Sequence, residues 1–274
     1  MTYALMVLSP VGQSLGDEAY LGRLVEDPQR RADIGRMVSW IGRGTLVAMA
    51  LVLLAVGGLR RRWDVGAVAV GAFAAAVVAA ELLKRALPRG ALSPLESQLK
   101  FDGVNSYPSG HATISTSFVL ALVLVSAVRW RPWVALIGAG WVSVVCTGTL
   151  AAGWHRPSDA IGGVALATAC FGPAAGFLVS RRYVLAPAPA ASRLLLPGGL
   201  LLVLLSAAGV GAAVLGRSQA GPAASVPPLA FPVASALISA TAVGAVCCFT
   251  WLMRDVVHPV HERPALTQRT AALR

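Results

Sequence analysis

The stretch 108–129, PSGHATISTSFVLALVLVSAVR, decides the fold: four residues rich in turn and polar character run straight into an apolar segment over 112–129. An apolar run of roughly 18 residues is long enough to cross the ~30 Å hydrocarbon layer as a helix. Working outward, similar runs occupy 44–59, 65–83, 132–152, 159–180, 195–216 and 229–253, which makes seven candidate spans. The first is short and bordered by Arg43, whose long stem allows its charge to reach the interface. Composition agrees: of 274 residues 56% are hydrophobic and 13% charged, and the mean hydropathy is +0.70. A soluble core does not need that much apolar surface, so the chain reads as an all-α, polytopic transmembrane helical bundle.

The net charge is +11. Most bases sit in short connections between apolar runs, without a basic stripe interleaved with aromatics, which argues against a nucleic-acid partner. Arg60-Arg61-Arg62, Arg129 with Arg131, Arg181-Arg182 with Arg193, and the tail Arg254, Arg263, Arg269 and Arg274 fall on one face. By the positive-inside bias that face is cytoplasmic. Lys84, Arg85, Arg89, Lys100, Arg156 and Arg217 fall on the other, beside the residues with chemical potential. Trp40, Trp63, Trp130, Trp133, Trp154 and Trp251 stand at span ends, where interfacial indoles belong.

Three regions follow. Residues 1–43, with balanced charge and a short apolar start, are expected to form an interfacial amphipathic segment; the stump of a further span is the alternative. Residues 44–183 form a core of about five spans, and 184–274 a two-span extension with a cytoplasmic tail. Leu185–Ser192 reads as a Pro/Ala-rich linker and 217–228 as a Gly/Pro/Ser loop,. Cys146, Cys170, Cys247 and Cys248 lie inside apolar runs and read as packing residues. His258 and His261 flank Pro259 with no third ligand evident, and no metal is assigned to them.

Two clusters carry chemistry. Lys84-Arg85-Ala-Leu-Pro-Arg89-Gly90 leads through a polar loop to Ser109-Gly110-His111, where a helix N-terminus and a glycine permit close approach of backbone to an anion. The simpler alternative makes Ser109 an N-cap and the cations lipid anchors. Later, Trp154-His155-Arg156-Pro157-Ser158-Asp159 places a histidine four residues before a carboxylate across a first helical turn. Asp159 can there accept the Nδ1 proton and leave Nε2 of His155 as a nucleophile. A capping cluster is the alternative. Glu81 is expected to pair with Lys84 or Arg85.

The two motifs in this order, with spans between them, resemble the type-2 phosphatidic acid phosphatase superfamily over about residues 40–183. That superfamily includes bacterial lipid phosphatases and vanadium haloperoxidases. The resemblance implies that His155 attacks phosphorus, oriented by Asp159, and that His111 protonates the leaving alkoxide. It also implies that Lys84, Arg89, Ser109 and the Gly110 amide hold the phosphate oxygens, without metal or other cofactor. The sequence departs from the pattern twice. Four residues rather than six separate Lys84 from Arg89, with Gly90 in place of proline, so Arg85 is a candidate to share the Lys84 role. Gly148 and Thr149 stand where Ser-Arg is expected, and Arg156 is the expected substitute for the missing cation. The implied substrate is a lipid phosphate: phosphatidic acid, phosphatidylglycerol phosphate or undecaprenyl diphosphate. A small-ester phosphatase, a lipid phosphotransferase and a catalytically weak lipid-binding or transport protein are the competing readings. The expected location is the cytoplasmic membrane, with the site on the extracytoplasmic side.

Overall fold

A computed structural model describes residues 2–96, 99, 105–180, 184–185, 188–215 and 229–257. Short helices come first: α1 (Thr2–Met6), α2 (Pro10–Gly22) and α3 (Pro28–Val38). Ser9 caps α2 by accepting the Gly12 amide, and Asp27 caps α3 by accepting those of Gln29 and Arg30, each ahead of a proline at the first helical position,. The long apolar helices follow: α4 (Arg43–Leu59), α5 (Trp63–Ala86), α6 (Gly110–Val125), α7 (Arg131–Ala151), α8 (Pro157–Ser180), α9 (Leu195–Leu215) and α10 (Ala230–Leu252). Two-residue strands, β1 (Val184–Leu185) and β2 (Val256–Val257), pair antiparallel.

Five helical stretches are long and apolar enough to cross a membrane: α5, α7, α8, the 190–208 stretch entering α9, and α10. The other two apolar helices, α4 and α6, are shorter. The apolar run of 112–129 suggested a longer helix than forms. Ser126 turns extended and ends α6 at Val125, leaving 16 residues, or about 24 Å,. Helices α5, α7 and α8 pack around α6, so its length does not have to match a bilayer. The Pro/Ala-rich linker is partly helical, since Ala190–Leu194 form a 3₁₀ turn running into α9. The 217–228 loop, His258, His261 and the tail arginines 263, 269 and 274 lie outside the described residues.

Helices α1 to α3 pack against the bundle. Helix α2 packs on α10 and α8, and α3 packs on α7, with Gln13 and Asp17 fully buried. The C-terminal extension is likewise built into the bundle, because α10 packs against α7, α8 and α2. Trp40, Trp63, Trp130, Trp133 and Trp251 are exposed at helix ends, as interfacial indoles should be,.

The connections after α4, α6 and α10 meet at one end. The Arg60 guanidinium donates to the Val125 carbonyl. Arg131, expected as a solvated cytoplasmic charge, is buried instead, and donates to Val123 O at 3.1 Å, Met253 O at 2.6 Å and Val256 O at 2.8 Å. Helix C-termini leave carbonyls without intrahelical partners, and this one side chain serves those of both α6 and α10. Replacing Arg131 with Met should therefore destabilise the protein by about 3 kcal/mol, since charged hydrogen bonds are lost and buried carbonyls stranded. Thermal unfolding in detergent should show a clear drop, whereas exposed Arg129→Met should leave the transition unchanged.

Candidate active site

The site forms at the opposite end, where the polar loop 87–109 meets the 152–156 turn. The first element is local. Asn105 donates to the carbonyls of Leu87 and Lys84 that α5 leaves open, and its Oδ1 accepts the Tyr107 amide at 3.0 Å,. This folds the chain back so that Ser109 can cap α6, with Oγ accepting the Ala112 amide at 3.4 Å. The capping role of Ser109 is thus present in the structure, beside any role toward phosphate.

Asp159, in the first turn of α8, joins this loop to the second motif. Its Oδ1 accepts from Arg89 at 3.0 Å and from Ser158 at 3.1 Å. Its Oδ2 accepts from Ser106 at 2.5 Å and from the Arg156 amide at 3.0 Å, and its main-chain carbonyl accepts the Ser109 amide at 2.8 Å. Nδ1 of His155 lies 3.5 Å from the same Oδ2, longer than a hydrogen bond of good geometry,. Catalytic contacts of this length in ligand-free sites commonly tighten when substrate is held. The His155 ring faces that of His111, with centroids 6.4 Å apart.

Close packing of α6 on α8 makes this meeting possible. A Cβ on Gly163 would come within 2.6 Å of Ser109 O, and one on Gly162 within 2.2–2.7 Å of the Tyr107 ring. Burial pushes the Tyr107 phenol above its ordinary pKa, and the nearby Asp159 charge adds to that. At Gly153 the backbone has φ +75°, a left-handed turn that glycine adopts without strain, and the Arg23 guanidinium lies where a side chain would stand,.

The four expected cations are placed in four different ways. Lys84 stands at the start of α6: Nζ is 2.9 Å from Glu81 Oε1 and 3.3 Å from where a Cβ on Gly110 would sit. Glu81 pairs with Lys84 as its spacing suggested. Arg89 is held by Asp159, while its Nε is buried without an acceptor among the described residues. Arg85 is exposed at the end of α5. Arg156 is placed differently from the expected substitute for the missing cation. Its side chain is wholly buried, Nε donates to Asp17 Oδ1 at 2.6 Å, and one terminal nitrogen donates to both Glu96 oxygens at 2.8 and 2.7 Å. Two carboxylates already neutralise that guanidinium. Burial raises the Asp17 carboxyl above its usual range, and the Arg156 charge draws it back.

Several residues of this arrangement were missed in the sequence. Ser106, Asn105, Asp17 and Glu96 carry no motif; only the polar character of the loop hinted at the first two. Trp154, read as an interfacial indole, packs its ring 5.3 Å from that of His111. Among the described residues, no group of three or more His, Cys, Asp or Glu is arranged to hold a metal ion.

Residues 66–183, the segment that holds both motifs, match the PAP2 superfamily model. This is the type-2 phosphatidic acid phosphatase superfamily that the motifs resemble, and the match supports a phosphatase-type activity. No curated protein and no solved structure matches the chain significantly.

The glycine packing can be tested directly. Gly162→Ala should displace the Tyr107 ring and the neighbouring Ser106 and Ser109, cutting turnover by about tenfold or more, because misplacement by an ångström is costly at such a site. Gly172→Ala, on the same helix with open space around it, should leave turnover unchanged.

Proposed function

We propose that the protein is a membrane-embedded lipid-phosphate phosphatase working through a phosphohistidine on His155. The observation that carries this reading is the meeting of His155, His111 and Asp159 with Lys84 and Gly110 at one end of an apolar bundle. Nε2 of His155 attacks phosphorus, and the bond to the leaving oxygen breaks. His111 gives that oxygen a proton. Water then attacks the phosphohistidine, losing its proton to His111, and releases phosphate and free His155. Asp159 orients His155 and stabilises its imidazolium.

The oxygens of the phosphoryl group need fixed positive charge as the transition state forms. Lys84 and the α6 N-terminal amides at Gly110 are the first candidates to supply it, with Ser109 beside them. Arg89 joins them, since its Nε–H has no protein acceptor among the described residues while another nitrogen holds Asp159. Arg85, exposed nearby, suits attraction of an anionic headgroup better than contact with phosphorus. In this scheme no metal is required, because side-chain cations and amides provide the charge.

A lipid substrate fits the surroundings better than a soluble ester. An apolar cavity of about 730 Å³ lies between α3, α4 and α7, lined by Met37, Val38, Ile41, Met49, Trp141 and Val145 among others. Its volume has room for an acyl or prenyl chain. Phosphatidic acid, phosphatidylglycerol phosphate and undecaprenyl diphosphate all satisfy these requirements.

On purified protein, His155→Ala should abolish turnover and the acid-labile phosphoenzyme, with EDTA present throughout. His111→Ala should slow phosphoenzyme formation much less with an ester bearing a good leaving group than with a lipid alkoxide, since in that step His111 serves only as proton donor. Phosphoenzyme formed normally by His155→Ala would rule out that nucleophile, and activity that needs added Mg²⁺ would rule out the cationic scheme.

The arginine bias further supports a site on the extracytoplasmic side of the cytoplasmic membrane. Cysteines introduced at Ala91 and Arg129, both exposed, report the two ends. With Cys248 replaced by Ala, an impermeant thiol reagent applied to intact cells should label position 91 and spare 129. The reverse pattern would invert the orientation.

A further inference from the structure

Helix α2 carries polar side chains in a pattern that an interfacial helix does not explain. Gln13, Asp17 and Tyr20 fall at i, i+4 and i+7, on one face, and that face is buried,. On a membrane surface it would be turned to water. Here each residue reaches one of the two loops that carry the site. Gln13 Nε2 donates to Gly90 O at 2.7 Å and its Oε1 accepts the Leu92 amide at 3.0 Å, directly after Arg89. Tyr20 donates to Gly153 O at 3.0 Å, two residues before His155. Asp17 takes Arg156, the residue after His155.

Arg156 is consequently held at both ends. Its amide donates to Asp159 Oδ2, while its guanidinium is gripped by Asp17 from α2 and by Glu96 from the loop that follows Arg89. The peptide plane joining His155 to Arg156 is anchored on one side, and with it the backbone from which the nucleophilic ring projects.

We propose that Asp17 is a positioning residue for phosphoryl transfer, acting through Arg156 to keep His155 aligned with the phosphate, so that α2 is a working part of the active site. The proposal rests on the phosphohistidine reading above. The fold does not need Asp17 in the same way, because Glu96 keeps the Arg156 charge paired when Asp17 is neutralised. Its side chain is partly exposed, and Arg156 would be drawn toward it. The loop would follow, and a displacement of about an ångström at a nucleophile is enough to slow attack by ten- to hundredfold.

The test is single-turnover phosphoenzyme formation in the full-length protein, followed by acid quench, because it separates alignment from loss of folded enzyme. Asp17→Asn should lower the rate constant of phosphoenzyme formation by about tenfold or more, equally for good and poor leaving groups, while the amount finally formed stays near wild type. Asp17→Glu, which keeps the charge but lengthens the side chain, should fall between the two and serves if the Asn variant does not fold. An unchanged rate constant in the folded variants overturns the proposal. So does a reduced amount formed at an unchanged rate, since that is lost fold alone. No phosphoenzyme in the wild-type protein would sink the nucleophile assignment itself, and this proposal with it.

Discussion

A carboxylate removed from water has to find donors for its lone pairs within the protein, and Asp159 finds them in three separate parts of the chain. Arg89 and Ser106 come from the loop after α5, Ser158 from its own helix, and the Arg156 amide from the turn before it. Leaving a buried charge uncompensated costs about 3–5 kcal/mol. Satisfying this one therefore forces the two motifs together. The Ser109 amide bound to the Asp159 carbonyl completes the junction. The glycines at 162 and 163 are a consequence: loop and helix can meet these donors only where α8 presents no side chain to Tyr107 and Ser109.

That junction also governs which charges remain for a substrate. Arg89 and Arg156 look equivalent as cations in the sequence, yet one is shared with Asp159 and the other is enclosed by Asp17 and Glu96. Lys84 is shared in turn with Glu81, but that pair is partly exposed, so solvent screens it and phosphate can compete for the ammonium,. Arg156, the expected substitute for the arginine absent at Thr149, is turned toward Asp17 and Glu96 instead. On the proposed reading, a phosphate would be left with Lys84, Arg89 and the start of α6.

The helices were legible because their signal is local. Apolar runs gave seven segments, and each became a helix, with errors confined to ends such as Val125, where one serine in extended conformation outweighs the three residues that follow it in the run. That His155 lies near Asp159, 3.5 Å apart, was legible for a similar reason, since four residues span about one helical turn,. What escaped was long-range. Arg156 lies 139 residues from Asp17 and 60 from Glu96, and nothing about an arginine beside a histidine shows which way its stem turns. Arg131 misled similarly: positive-inside reasoning counts charges near span ends, and cannot separate a solvated guanidinium from one that closes two helix C-termini.

The N-terminal segment shows how a weak local pattern becomes decisive in three dimensions. Gln13, Asp17 and Tyr20 would have read as the wet side of a short amphipathic helix, because a polar face is assigned to water unless a partner is known. The partner is a set of loops whose own polar groups lacked acceptors and donors, so both surfaces become buried together with their hydrogen bonds made. Such an arrangement requires α2 to be held firmly from behind. Helix α10 does this, with Phe231 packed where any side chain at Gly22 would collide. The C-terminal extension thereby acquires a structural purpose that its hydropathy does not reveal. Through α10 it backs the helix that ties the two loops of the candidate site around His155.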